Sequence, residues 1–376
     1  MLKSVVLIRS RDIDPSIHKI AKALSNNGYN VKVLLWNRKG KRGIQYTNGY
    51  TVIHCGIKAP YDKISVAFFL PLWWLYEFFF LIMEPVKIVH ACDLDTLLPA
   101  IIIKLIKRIK LCYSIYDFYA DNILTAFTFI RKVVAFLEKF GIGLCDAIFI
   151  VDPTRHEQIK GSLIKKLVVL YNSPPDYFER EENVMLKAKA ESNLILFYAG
   201  VIHRSRGLIE ILKALRDTNG VKLIIAGLGP DMKILENLPK SLKNKVEYIG
   251  FIPYEEVIKK TFEADVILAL YDPKIPNNRY ASPNKLFEAM MCAKPIIINK
   301  ETSAAKIVEK ENCGLIVPYG DVNAIKNAIK LMKENCELRL QLGRNGRTAY
   351  KNRYNWRLMV RKLIHIYDQI SESDIS

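Results

Sequence analysis

No glycine-rich G-x-G-x-x-G turn follows the first strand of this chain, which weakens any reading as an oxidoreductase built on a dinucleotide. The seven cysteines are odd in number, scattered and without a C-x-x-C pair. They read as free thiols of a reducing cytosol, and no metal site follows from them. There is no low-complexity tract and no repeat at solenoid periods. The first residues, MLKSVVLIRSRD, form a strand pattern and lack the hydrophobic region of a secretory signal. Acids are the scarce charge: 38 against 56 basic residues, a net charge of +18. The excess is spread along the chain and favours anionic partners such as nucleotide diphosphates or acidic lipid headgroups. No nucleic-acid-binding motif accompanies it.

What is present points to an α/β protein. A length of 376 residues suggests two domains. Ser4–Ile8, a helix over Ser16–Asn26 and the strand Val31–Trp36 make a β-α-β opening. Further apolar strands are expected at Lys87–Cys92, Leu111–Ile115, Asp146–Val151 and Lys166–Leu170. Asn-Ser-Pro-Pro at 172–175 stops regular structure and opens a charged linker to about Ser192. A second series of strands begins at Leu194–Tyr198, and a last helix starts near Tyr354-Asn355-Trp356. The boundaries expected are 1–172, 193–354 and a terminal helical segment, 355–376.

The stretch 277–299, NNRYASPNKLFEAMMCAKPIIIN, carries the most chemistry. Ser282 as N-cap and Pro283 as first helical residue predict a helix start. Lys285 and Glu288, three apart, then share one face. Free N–H groups, a positive dipole end and a lysine suit a phosphate, and a carboxylate one turn deeper suits the hydroxyls of a ribose. The bland alternative is an amphipathic helix with a surface Lys/Glu pair. A second anion cradle is expected where a strand meets Gly200 and the basic loop before Leu208.

Ile64–Met83 is apolar and long enough to span a bilayer, but it contains Pro71 and Glu77. A buried or groove-lining helix, a helix lying in the membrane interface, and a true span all remain open readings. Phe127–Gly141 mixes Phe, Val and Leu with Arg131, Lys132 and Lys139, as a membrane-facing helix would. Asp93-Leu94-Asp95 opens a helix, where acids are welcome without a metal.

SPNKLFEAMMCAKPIII resembles the donor-binding helix of the retaining, GT-B-fold glycosyltransferases of family 4, in one branch of which the pattern is S-P-x-K-(L)-(F)-E-(Y/A)-M-x-x-G-K-P. The resemblance implies two Rossmann-like domains facing a cleft, with the C-terminal helix crossing back to the first. It implies transfer of a sugar from a UDP- or GDP-linked donor to a hydroxyl acceptor, with no metal or other cofactor. Lys285 would then meet the diphosphate and Glu288 the ribose, with Ser282 and Leu286 in the same motif. Tyr280 stands where the family has a second Glu, and Ala293 where it has a helix-ending Gly. The segment 198–207 resembles Y-x-G-R-x-x-x-x-K-G. Gly200 matches, Val201 replaces the Arg, Arg206 takes the Lys position, and Arg204 is placed to restore the lost charge. Gly227 and Phe251 fall at positions beside the nucleotide, and Asp14 in the family's opening motif. YDFYAD resembles the segment facing the acceptor, so Asp117 or Asp121 would contact acceptor hydroxyls. N-capping is the competing reading of those two acids. Arg206, Lys285, Asp117 and Asp121 are the candidate catalytic residues. The acceptor expected is a glycan or lipid-linked molecule, met in the cytoplasm or at the cytoplasmic face of an anionic membrane. Two rivals remain: an epimerase of the same fold, for which His18, His90 and His203 lie near strand ends, and a non-catalytic partner subunit.

Overall fold

The computed structural model describes residues 3–12, 15–47, 49–60, 65–123, 127–179 and 193–372. Asp14 lies outside them, as does most of the expected linker. The chain divides into two compact units, Met1–Tyr171 with Val360–Ser376, and Asn172–Met359.

The first unit is an eight-stranded sheet. Its strands are β1 (Lys3–Arg9), β2 (Tyr29–Trp36), β3 (Gly43–Thr47), β4 (Tyr50–Cys55), β5 (Ile88–Cys92), β6 (Lys110–Ile115), β7 (Ala147–Ile150) and β8 (Leu167–Val169), in the order β3-β4-β2-β1-β5-β6-β7-β8. Every pairing is parallel except β3 with β4, a hairpin edge. The central strands are buried along their length, as parallel strands covered on both faces must be. Its helices are α1 (Pro15–Asn26), α2 (Leu70–Met83), α3 (Leu97–Lys107) and α4 (Thr128–Gly143). Strands and the inner stripes of α2, α3 and α4 form one core cluster with Trp36, Trp73, Tyr113 and Ile148. Trp73 stacks on Trp36 at 5.4 Å between ring centroids and donates its indole N–H to Asp95 O at 3.1 Å.

The second unit is a six-stranded, all-parallel sheet of β9 (Leu194–Ala199), β10 (Val221–Ala226), β11 (Val246–Tyr248), β12 (Val266–Ala269), β13 (Ile296–Asn299) and β14 (Gly314–Val317), ordered β11-β10-β9-β12-β13-β14. This is the doubly wound order, with its switch point between β9 and β12. Its main helices are α5 (Leu208–Arg216), α6 (Tyr254–Glu263), α7 (Asn284–Met291), α8 (Ser303–Glu311), α9 (Val322–Glu334) and α10 (Cys336–Ala349). A turn of π-helix, Tyr350–Tyr354, leads to α11 (Trp356–Glu372).

The end of α11 belongs to the first unit. Tyr29 donates to Asp368 at 2.8 Å, and the Tyr367 hydroxyl lies 2.6 Å from His90 Nδ1. His90 is buried, and burial pulls its pKa down to about 3, so the ring is neutral. Its Nε2 lies 2.6 Å from Ser114 Oγ. It is a structural tie between sheet and helix, not a free acid or base.

Candidate active site

The site in the second unit is built at the C-terminal ends of β9, β10 and β12, where open parallel sheets place ligands. Three loops lie edge to edge there. Gly200 N–H donates to Ala226 O at 2.9 Å, and Gly227 N–H donates to Gly250 O at 2.8 Å. Gly227 has φ +129°, and a Cβ added to it would sit 1.9 Å from Gly200 O. No side chain fits, so the backbone forms a smooth floor. Gly227→Ala is expected to destabilise the second unit by about 2 kcal/mol or more, from strained φ and direct overlap. A lowered urea midpoint measures it. Phe251 follows Gly250 and is exposed, free to cover a flat ligand.

Lys285 comes from the start of α7, which begins one residue later than the sequence predicts. Pro283, extended at φ −70°, ψ 134°, occupies the N-cap, so Lys285 is the second helical residue. Ser282 is not the cap. Its hydroxyl is buried with no hydrogen-bond partner among the described residues, while its carbonyl accepts from Asn172 Nδ2 at 2.9 Å. Pro283 has no hydroxyl to cap α7, so the first N–H groups of the helix keep their anion-binding capacity. Leu286 is core: its side chain is fully buried and its N–H is given to Pro283 O at 3.1 Å. Ala293 ends the motif at φ +52°, the left-handed position that glycine would fill at about 1 kcal/mol less strain.

Two cations converge on aromatic faces. Lys285 Nζ lies 4.0 Å from the Tyr198 ring centroid and 5.5 Å from that of Tyr271. The Arg206 guanidinium lies 4.6 Å from the Tyr271 centroid and donates to Asn278 Oδ1 at 3.3 Å. Tyr271 thus sits under both. Gly200 leaves room for the lysine, since a Cβ there would be 3.2 Å from its Nζ. Burial, then repulsion from Arg206, lowers the Lys285 pKa to about 7, with Glu288 opposing. Two crowded cations of which one is poised to lose its proton describe a site built for an anion.

Glu288, one turn deeper, is buried. Tyr254, the first residue of α6, hydrogen-bonds to it, and burial followed by the Glu288 charge raises the tyrosine pKa. The phenol therefore stays protonated and donates. Tyr254, Tyr271 and Asn278 were not assigned roles from sequence, because each is brought to the motif only by the fold.

Arg204 does not restore the charge lost at Val201. Its side chain is exposed and its Nη2 donates to Asp231 Oδ1 at 2.9 Å, so its charge is matched at the surface. His203 lies 2.6 Å from Ser205 Oγ through Nδ1 and caps that turn.

In the first unit, the switch point lies between β1 and β5. Arg9 and Asp93 form a buried ion pair there at 2.5 Å. Asp93, at φ +66°, also accepts from the N–H groups of Tyr116 and Asp117 at 2.8 and 3.2 Å, fixing the loop after β6. Asp117 is half-exposed and 3.7 Å from the buried Arg155. Asp121 is occupied: it accepts from Gln158 Nε2 at 2.6 Å and Arg131 Nη2 at 3.4 Å. Of the two acids, Asp117 is the one with a carboxylate facing solvent. His18 Nδ1 lies 3.0 Å from the Tyr50 hydroxyl.

Fold and site define a GT-B protein, two Rossmann-like units of which the second presents a paired-cation cradle. Residues 179–349 match the family described as Glycosyl transferases group 1. Similar curated proteins include an uncharacterized glycosyltransferase of Methanocaldococcus jannaschii, 24% identical over 50% of this chain. Another is the capsular polysaccharide biosynthesis glycosyltransferase CapM of Staphylococcus aureus, 23% identical over 63% of this chain. The matches cover 48% and 65% of those relatives' own lengths. Among solved structures, sucrose-phosphate synthase of Thermosynechococcus elongatus superimposes with TM-score 0.79 at 16% identity, covering 99% of this chain and 100% of that one. HepE of Anabaena, solved with UDP and glucose, gives 0.68 at 14%, covering 99% of both chains.

Proposed function

We propose that this protein is a retaining glycosyltransferase that moves a sugar from a nucleotide diphosphate sugar to a hydroxyl of a glycan or lipid-linked acceptor. The observation that carries the reading is the convergence of Lys285 and Arg206 on Tyr271, with Glu288 one turn deeper. That arrangement suits a diphosphate above a ribose. UDP in HepE supports a nucleotide donor, and the polysaccharide role in the name of CapM supports a glycan product.

In this reaction the bond from the sugar C1 to the diphosphate oxygen breaks. A bond from C1 to the acceptor oxygen forms on the same face, and the departing phosphate oxygen takes the acceptor's proton. Negative charge grows on the leaving diphosphate. Lys285, Arg206 and the α7 N-terminus offset it, which is the service a metal supplies in other designs. On the first unit, the half-exposed carboxylate of Asp117 suits an acceptor hydroxyl.

The test is donor turnover with UDP- and GDP-sugars and a lipid-linked acceptor, with and without EDTA. Product with the donor's anomeric configuration, formed equally in EDTA, is expected. An inverted product overturns retention, and EDTA inhibition overturns metal independence.

A further inference from the structure

We propose that the outer face of α2, α3 and α4 docks on an anionic lipid bilayer. The argument rests on the first unit alone and is independent of the reaction proposed above.

The turn and helix over Ser65–Met83 are long and apolar enough to cross a membrane. They do not behave as a span, because Trp73, Glu77 and Leu81 form a stripe buried in the unit. Half-buried neighbours such as Phe78 and Phe80 pack beside that stripe, and the opposite side faces outward: Phe68 is 81% exposed, and Leu72 and Phe79 are more than half exposed. The helix is inverted relative to a soluble one. Its single charged residue, Glu77, is fully buried with no hydrogen-bond partner among the described residues, while Phe68 and Phe79 face outward.

The inversion repeats in α4. Phe129 and Phe136 are 79% and 66% exposed, whereas its one acid, Glu138, is fully buried, accepting from the Tyr113 hydroxyl at 2.8 Å and Tyr119 N–H at 3.0 Å. Between them α3 exposes Leu105 and Ile106. The three are neighbours. Lys107 Nζ donates to Leu81 O and Glu84 O at 2.9 and 2.7 Å, joining α3 to the end of α2. Gly141 of α4 comes so close to α3 that an added Cβ would sit 2.8 Å from Leu97 Cδ2. Together they present exposed large apolar side chains from three neighbouring helices, the kind of patch that marks an interaction surface.

Charge selects the occupant. Both acids on these helices point inward, and the charged side chains left at the surface are basic, with Lys132 and the capping Arg108 exposed. A second copy docked on this face would bring two basic rims together. An anionic bilayer meets the apolar centre with acyl chains and the rim with headgroups.

The test is flotation of the full chain with vesicles of phosphatidylcholine alone and of phosphatidylcholine with phosphatidylglycerol in equal amounts. The protein should float with the anionic vesicles, about tenfold more than with neutral ones at low salt. Phe129→Ser/Phe136→Ser should reduce flotation about tenfold or more, with an unchanged melting temperature since both side chains are exposed. Lys132→Glu should weaken binding to anionic vesicles only. Protein that stays soluble with both vesicles overturns the proposal. So does a dimer in light scattering that the double phenylalanine variant converts to monomer, or flotation that the variant leaves unchanged.

Discussion

Lys285→Met is expected to lower kcat for sugar transfer about 10²-fold or more, the effect of deleting one preorganised charge beside a developing anion. The substitution removes the ammonium that packs over Tyr198 and Tyr271 while keeping an apolar stem of similar length. It also relieves the repulsion Lys285 shares with Arg206, so the folded protein should be no less stable. A drop in kcat with little change in KM for the donor places the interaction in the transition state. Arg206→Met should act in the same direction. Transfer rates close to wild type in both variants would remove these residues from the reaction.

The second large effect is pH-dependent. In the free protein the Lys285 pKa is held near 7, well below the ordinary lysine value. A bound diphosphate favours the ammonium and raises that pKa. The sign follows: diphosphate affinity is fullest below pH 7 and falls about tenfold per unit above it, until the bound-state pKa is reached. At pH 8 most free protein carries neutral Lys285, so binding must take up nearly one proton. Calorimetry of UDP binding at pH 8, in buffers of different ionisation enthalpy, reads that uptake. Lys285→Met should abolish it. A binding heat independent of buffer in the wild type would show that the lysine is already charged.

Much of the architecture was legible because parallel strands buried on both faces leave continuous apolar runs such as IVHAC and IIIN, and because Ser-Pro before an amphipathic stretch marks a helix start. The hairpin edge β3 was not legible. Gly43–Thr47 is exposed almost throughout and its sequence has no buried face to alternate with. In the site, Lys285 and Glu288 were legible from their spacing on one helix. The expectation that Arg204 joins Arg206 there was not, because only the position of Asp231 in the fold holds the Arg204 guanidinium at the surface. Tyr254, 34 residues before Glu288, meets it through sheet topology that no local pattern encodes. Ser282 failed as a cap because its hydroxyl turns into the protein while Pro283 takes the boundary.

The central claim is a nucleotide diphosphate site on α7. It is tested most directly by titrating UDP and GDP calorimetrically, without added metal, into wild type and Glu288→Ala. The account predicts that one of the two nucleotides binds the wild type, and that the variant, lacking the buried carboxylate for the ribose, loses that binding. Undiminished binding to Glu288→Ala, or no binding of either nucleotide to the wild type, would contradict it.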